Sequence, residues 1–545
     1  MLFNSYEFLF LFLPLTVVGF FAFNAASRGW ALRWLILASL VFYAWWRPLN
    51  VLIIAPSIIV NYILAQLMLR LNRDETRRRF SWIVLAVGIS FNVAFLGYFK
   101  YIDFLSGAAN DVFGTHFLLR HIVLPLGISF ITFQKIALLM DVHAGRVKSV
   151  GFQDYCLFVL FFPQLIAGPI VHYREMMPQF QTPARGISKE NIAVGLTLLC
   201  FGLFKKVIFA DNIAPFVSPI YEKAVATGGT TLLPAWIAVF GFTLQLYFDF
   251  SGYSDMALGL ARLFGIRLPQ NFNSPLKATS INDFWLRWHM TLTRFLNGYV
   301  YNPLVLRLTR RRIEKGLPGL VAGKVTIGAF VYLVMLPILF TMFVSGVWHG
   351  AGYTFIVFGL LHGTYLVMNQ ASRLFLTRLW RDRATYDRWM TPIGGVLVFL
   401  GVLVANAFFR SPTIGSALDI VKGMVGLHGV ALPQATYDAL GPITGVLQAL
   451  GVMTVAPQVW SSRDLMMTTF WIGALAVVAY GCPNALQILA RYEPALGVKP
   501  PTAPAPRRRL PEWASSLPWA IAVSVLALAS VLSLGGPSAF LYWQF

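Results

Sequence analysis

Apolar runs of about twenty residues recur along nearly the whole chain, and the short loops between them hold most of its arginines and lysines. A hydrocarbon core of about 30 Å takes roughly 20 helical residues per crossing, so the pattern predicts a series of membrane helices. Candidate spans fall at 7 to 24, 33 to 47, 50 to 69, 80 to 99, 121 to 141, 152 to 170, 191 to 210, 231 to 250, 325 to 348, 353 to 371, 391 to 409, 467 to 489 and 517 to 536. No repeated alternating segments suggest a closed barrel, and lone strands would leave backbone groups unpaired in lipid. The expected fold class is therefore all-α and polytopic.

Two places disturb the pattern. Gly168, Pro169 and Ile170 interrupt one span, and the polar FDFSGYSD sequence from Phe248 resists exposure to lipid, so re-entrant segments are expected there. Arg70, Arg73, Arg77, Arg78 and Arg79 crowd one loop; Arg307, Arg310, Arg311, Arg312 and Lys315 crowd another. Positive residues mark the cytoplasmic side, which places both loops inside. Five candidate spans lie between them, an odd number, so one must be re-entrant or one crossing is missing from the series.

The same rule puts the region from Arg373 to Arg388 and the Pro-rich linker VKPPTAPAPRRR inside, with the first residues and the closing LYWQF outside. Three parts result: a core at 1–410, an external loop or set of shallow helices at 411–466, and C-terminal membrane helices with their basic linker at 467–545. The opening run has no basic segment before it and no small-residue cleavage site after it, and is expected to be a first membrane helix.

Composition supports the bilayer as solvent: 57% of residues are hydrophobic and 12% charged, more apolar surface than a soluble core of this size could bury. A net charge of +21 would raise nucleic acid as a partner in a soluble protein. Here the charge sits in short loops with no basic face interleaved with aromatics, which argues against nucleic-acid binding. Cys156, Cys200 and Cys482 are isolated in apolar stretches and read as packing residues.

Ionisable side chains within membrane segments are costly and so point to function. Of the eight histidines, His116, His121, His143, His172 and His428 sit near loops or span ends. His289 lies in SINDFWLRWHMTLTRFLNGYVYNP, where Ser280 and Asp283 form an S-x-x-D capping box and Pro303 is expected to stop the helix. On a helical wheel Phe284, Trp285, Trp288, Leu292, Phe295 and Leu296 make one apolar face, with His289 at its edge. His349 ends a long apolar run just before Gly350, Ala351 and Gly352, where substrate could approach the imidazole. Histidine is the usual group to take a proton from an alcohol nucleophile. His362 falls about ten residues down the next helix, on the order of 15 Å away at about 1.5 Å per residue, and reads as packing. No HExxH, carboxylate-rich set or G-x-S-x-G is present, so neither a metal site nor a serine hydrolase is expected.

Four ordered motifs then carry a resemblance: LPLGISFITFQKI from Leu124, FFPQLIAGPIVHYREMMPQF from Phe161, FDFSGYSDMALGLARLFGIRLPQNFNSPLKATSINDFWLRWHMTLTRFL from Phe248, and VSGVWHGAGYTF from Val344. Across most of the first 410 residues the chain resembles the membrane-bound O-acyltransferase superfamily, in its bacterial alginate O-acetyltransferase branch. The resemblance implies a ring of tilted helices around a thinned centre where a cytoplasmic channel meets an external funnel. It implies His349 as the catalytic candidate and His289 as the second polar residue of the centre. Trp348, Arg287, Gln134 and Asp283 are further candidates for lining the channel or supporting the histidines.

Branch membership further implies acetyl-CoA as donor, an exported polysaccharide as final acceptor, a periplasmic acetyltransferase or esterase-like partner, and the bacterial inner membrane as location. The alternatives are peptidoglycan O-acetylation, D-alanyl transfer from a carrier protein, a polymer-export transporter and a silent scaffold for a periplasmic enzyme. No internal repeat with matching broken helices supports the transporter.

Overall fold

The structure, a computed structural model, describes residues 1–181, 186–320, 325–375, 382–455, 460–500, 511–535 and 541. Most of the basic linker (501–510), part of the Arg373 to Arg388 loop (376–381) and the last four residues therefore lie outside the described residues. Among the described residues eight helices are long and apolar enough to cross a bilayer: Glu7–Ala26, Leu49–Leu71, Arg78–Phe113, Lys189–Ala226, Leu232–Leu263, Ile327–His349, Ala384–Arg410 and Ser462–Gly481. Further apolar helices form at Arg28–Ala44, Ile128–His143, Tyr353–Phe375 and Leu517–Leu532. The chain is an all-α multi-pass membrane protein.

The Gly-Pro break interrupts its span, as expected. Residues 152 to 170 form two short helices, Phe152–Leu160 and Phe162–Leu165, followed by buried coil through Ile170 and the helix Tyr173–Gln181. The two ends of this hairpin meet: Gln181 Nε2 donates to Asp154 Oδ2 at 3.5 Å, and the Phe158 and Tyr173 rings lie 5.4 Å apart. Its non-helical backbone survives because side chains satisfy it. Ile170 N donates to Thr291 Oγ1 and Phe162 N to Ser39 Oγ. This segment thus forms a hairpin that enters and leaves at one end, whereas between the Arg77 and Arg310 loops the helices Arg78–Phe113, Lys189–Ala226 and Leu232–Leu263 are each long and apolar enough to cross a bilayer.

FDFSGYSD is no break. It lies inside one continuous helix, Leu232–Leu263, where every residue from Gly241 to Leu263 is buried by protein rather than exposed to lipid. Asp249 and Asp255 are tolerated there because Lys206 and Lys205 of the neighbouring helical segment reach them.

The segment around His289 also departs from a single helix. Ser280 caps as expected, its Oγ accepting from Asp283 N at 3.2 Å, but the Asp283 carboxylate reaches Thr279 N instead of completing the box. Helix Ile281–Trp285 stops early, His289 adopts φ 42° and ψ 50°, and a second helix starts at Met290. Pro303 does not end it. A π-helical turn over Asn297–Tyr301 leads into helix Asn302–Glu314, with Pro303 in its first turn, where a missing N–H costs nothing.

The described residues between 411 and 461 hold a short capped helix, Ile414–Met424, three further short helical segments, Gln434–Ala439, Gly441–Ile443 and Thr444–Ala449, and one parallel pair of three-residue strands, Ala431–Pro433 with Met453–Val455. They pack on the start of the Leu232–Leu263 helix, where Leu232 N donates to Gly429 O and Trp236 Nε1 to Met424 O. The membrane helix after them starts at Ser462, five residues before the expected boundary.

Candidate functional site

Glycine sets the site's frame. A Cβ on Gly346 would sit 2.4 Å from Phe355 O, and one on Gly359 2.3 Å from Met342 O, so helices Leu336–His349 and Tyr353–Phe375 touch backbone to backbone. That contact brings Phe358 against His349, at a ring separation of 5.7 Å. Phe409, from helix Arg383–Arg410, closes on the other side at 5.5 Å.

The buried His349 lines a narrow cavity of about 20 Å³ walled by aromatic rings, with Thr243, Trp285, Trp288, His362 and Asn406 as its other polar residues. Asn406 Nδ2 donates to Thr243 Oγ1 at 2.9 Å, fixing that corner. His362 Nδ1 and Trp285 Nε1 are buried without a hydrogen-bond partner among the described residues. It has room for about one water molecule, on which a few polar atoms converge from apolar walls.

His362 is the residue that sequence reasoning placed elsewhere. Axial rise along one helix put it far from His349, but a single phenyl ring bridges them, since Phe358 is 5.7 Å from His349 and 4.7 Å from His362. The signal was the i, i+4 pair Phe358 and His362, which shares one helix face. Asn406 carried no comparable signal, because only packing brings its helix to the cavity.

His289 is wholly buried but does not line this cavity. Its Nδ1 is 3.0 Å from Asn271 Oδ1, an atom that also accepts from Thr291 Oγ1. The ring lies edge-on to Phe250 at 4.8 Å and 6.0 Å from Trp348. Trp348 stacks on Phe133 and lies 4.9 Å from the His349 ring, so the fold gathers His289, Trp348 and His349 into one cluster. Gln134 is buried on the Ile128–His143 helix beside Phe133, away from the cavity lining. Asp283 and Arg287 pair with each other at 2.7 Å, and Arg287 also reaches Asn273 O; neither lines the cavity. Among the described residues no group of three or more His, Cys, Asp or Glu is placed to hold a metal ion.

Two further cavities adjoin the first. One, of about 440 Å³, lies between the ends of helices Tyr353–Phe375 and Arg383–Arg410, with Ser280, Tyr365, Arg373, Asp387 and Gly401 in its wall. It meets the histidine cavity at Tyr365, whose ring is 5.8 Å from His362. The other, of about 80 Å³, is lined by Lys100, Trp348, the start of the Ile128–His143 helix and the tip of the hairpin. It meets the histidine cavity at the Trp348–His349 wall.

The amino-acid sequence matches known proteins. Residues 144–315 match the model of the membrane-bound O-acyltransferase family, a stretch that includes His289 and ends before His349. The chain is 38% identical to the peptidoglycan O-acetyltransferase of Helicobacter pylori over 467 residues, covering 81% of this chain and 82% of that one. It is 33% identical to the "Probable alginate O-acetylase AlgI" of Pseudomonas aeruginosa across the full length of both. The teichoic acid D-alanyltransferase of Bacillus subtilis shares 28% over 282 residues, half of this chain and 65% of that protein. With identity of this degree running from end to end, the chain belongs to the membrane-bound O-acyltransferase family and is an acyltransferase enzyme.

Proposed function

We propose that the protein transfers acetyl groups from a cytoplasmic thioester, acetyl-CoA, through the bacterial inner membrane for O-acetylation of an exported polysaccharide of alginate or acetylated-cellulose type. A periplasmic acetyltransferase or esterase-like partner passes the group to polymer. The observation that supports this reading is the position of His349, which lines one cavity while its neighbour Trp348 lines a second beside Lys100, with a third toward the Arg373 end of the bundle. Donor and acceptor then arrive from opposite faces, and only the acyl group crosses.

In this mechanism the acceptor hydroxyl gives its proton to His349 as its oxygen attacks the thioester carbonyl carbon. The tetrahedral intermediate collapses, the carbon–sulfur bond breaks, and the proton passes to the departing thiolate. His289, off the cavity and tied to Asn271, supports the Trp348 wall and orients the acceptor through it. The relatives named for alginate support the polysaccharide acceptor. The 38% identity to a peptidoglycan O-acetyltransferase favours a second reading, in which peptidoglycan is the acceptor.

Mass spectrometry of surface polymers and of muropeptides from a deletion strain separates the two. Loss of polysaccharide acetyl esters alone is the expected result, loss from muropeptides moves the protein to the second reading, and unchanged acetylation of both overturns the proposal. A His349→Ala strain should still export polymer, now without esters; loss of export would indicate a polymer channel instead.

A further inference from the structure

An α-helix leaves its last four carbonyls without intrahelical partners. At the end of the Leu336–His349 helix, three of these are bonded by two neighbouring residues from a distant part of the chain. Tyr101 Oη donates to Val347 O at 2.6 Å, and Lys100 Nζ donates to Trp348 O at 2.6 Å and to His349 O at 3.0 Å. Both donors belong to a π-helical turn, Gly97–Tyr101, inside the Arg78–Phe113 helix. A π turn holds more residues than an α turn, which changes the face its side chains present, and such turns recur at functional sites.

The usual local device is absent. Gly350 follows in an extended conformation, φ −160° and ψ 157°, so no left-handed cap closes the helix. The peptide groups at and just before His349 are thus tied down by tertiary hydrogen bonds. Lys100 also lines the cavity beside Trp348, while His349 lines the cavity it shares with His362. It forms no ion pair among the described residues, and a basic group at a helix C-terminus suits the partial negative charge there.

We propose that Lys100 is a positioning residue for acyl transfer, its amino group clamping the Trp348 and His349 carbonyls so that the imidazole stays at the wall between the two cavities. The inference rests on the role proposed above for His349. A misplacement of about 1 Å at a reacting group can cost about 100-fold in rate, so loss of the clamp acts on turnover more than on donor binding.

The test uses the full-length protein in detergent with acetyl-CoA as donor, measuring kcat, KM and melting temperature for wild type, Lys100→Met, Lys100→Arg, Tyr101→Phe and His349→Ala. Lys100→Met should keep the KM for acetyl-CoA and lower kcat by about 10- to 100-fold. Lys100→Arg should recover most of that loss, since a guanidinium can donate to both carbonyls. Tyr101→Phe, which frees only the Val347 carbonyl, should lose less. Should Lys100→Met not fold, Lys100→Gln carries the same comparison. Unchanged kcat in the neutral variant, equal loss in Lys100→Arg, or an effect confined to KM would overturn the inference. Full activity of His349→Ala would instead overturn the role of His349, while an inactive His349→Ala beside a normal Lys100→Met would sink only the part assigned to Lys100.

Discussion

Two regions of this molecule carry polar groups deep within its apolar helices, and they follow opposite plans. At the junction of helices Lys189–Phe204 and Leu232–Leu263 each charge meets an opposite one. Lys206 Nζ is 2.6 Å from Asp249 and 2.8 Å from Asp211, and Lys205 Nζ is 2.6 Å from Asp255. The helices are pressed together by reciprocal glycines, since a Cβ on Gly202 would lie 2.5 Å from Gly252 O and one on Gly252 2.8 Å from Gly202 O. Around His349, by contrast, the polar atoms border a cavity, and His362 Nδ1 and Trp285 Nε1 lack protein partners among the described residues. Ionisable groups at membrane depth invite a functional reading by default. The contrast refines that rule: charges paired with one another serve architecture, and polar groups facing space are available for chemistry.

The comparison can be broken or sharpened by substitution, and the largest effect is expected at His349. His349→Ala should lower acyl transfer by about 10²- to 10⁴-fold with no change in melting temperature, read as label transfer from acetyl-CoA. A melting temperature that falls with the activity would erase the distinction between the two regions. Asp249→Ala, on the other side, removes one partner of a buried pair and should cost about 3–5 kcal/mol in denaturation experiments. Its activity per folded molecule should stay near wild type; a selective loss of turnover would move the ion pairs into the catalytic apparatus. Gly252→Ala places a methyl group against the Gly202 backbone and should destabilise by about 1–3 kcal/mol, again without a catalytic defect. His362→Phe should do the reverse and have the smallest effect: stability equal or higher, and the KM for donor raised roughly threefold to tenfold, the weight of one hydrogen bond. An unchanged KM would show that His362 touches no substrate.

Much of this organisation was legible in the chain. Apolar run length predicted most of the helices, and the Gly168–Pro169 interruption marked the segment that folds as a hairpin of short helices. The motifs around His289 and His349 marked two members of the central cluster. What misled was local pattern taken without its neighbours. FDFSGYSD looked unfit for a membrane helix because its lysine partners lie about fifty residues away in sequence, and Pro303 looked like a stop because a preceding π turn leaves no trace in composition.

By itself, then, the sequence determined the solvent, the helical class and the two motif histidines that the fold gathers near Trp348, because each follows from side-chain chemistry and spacing within one segment. The tertiary structure alone decided that His362 and Asn406 share a cavity with His349, that Asp283 and Arg287 spend their charges on each other, and that Lys100 closes the helix ending at His349. These depend on which helix faces meet. In a membrane domain nearly every face is apolar, so hydrophobic pattern cannot choose among them, and the choice falls to glycine contacts and to a few buried polar bonds between residues far apart in the chain.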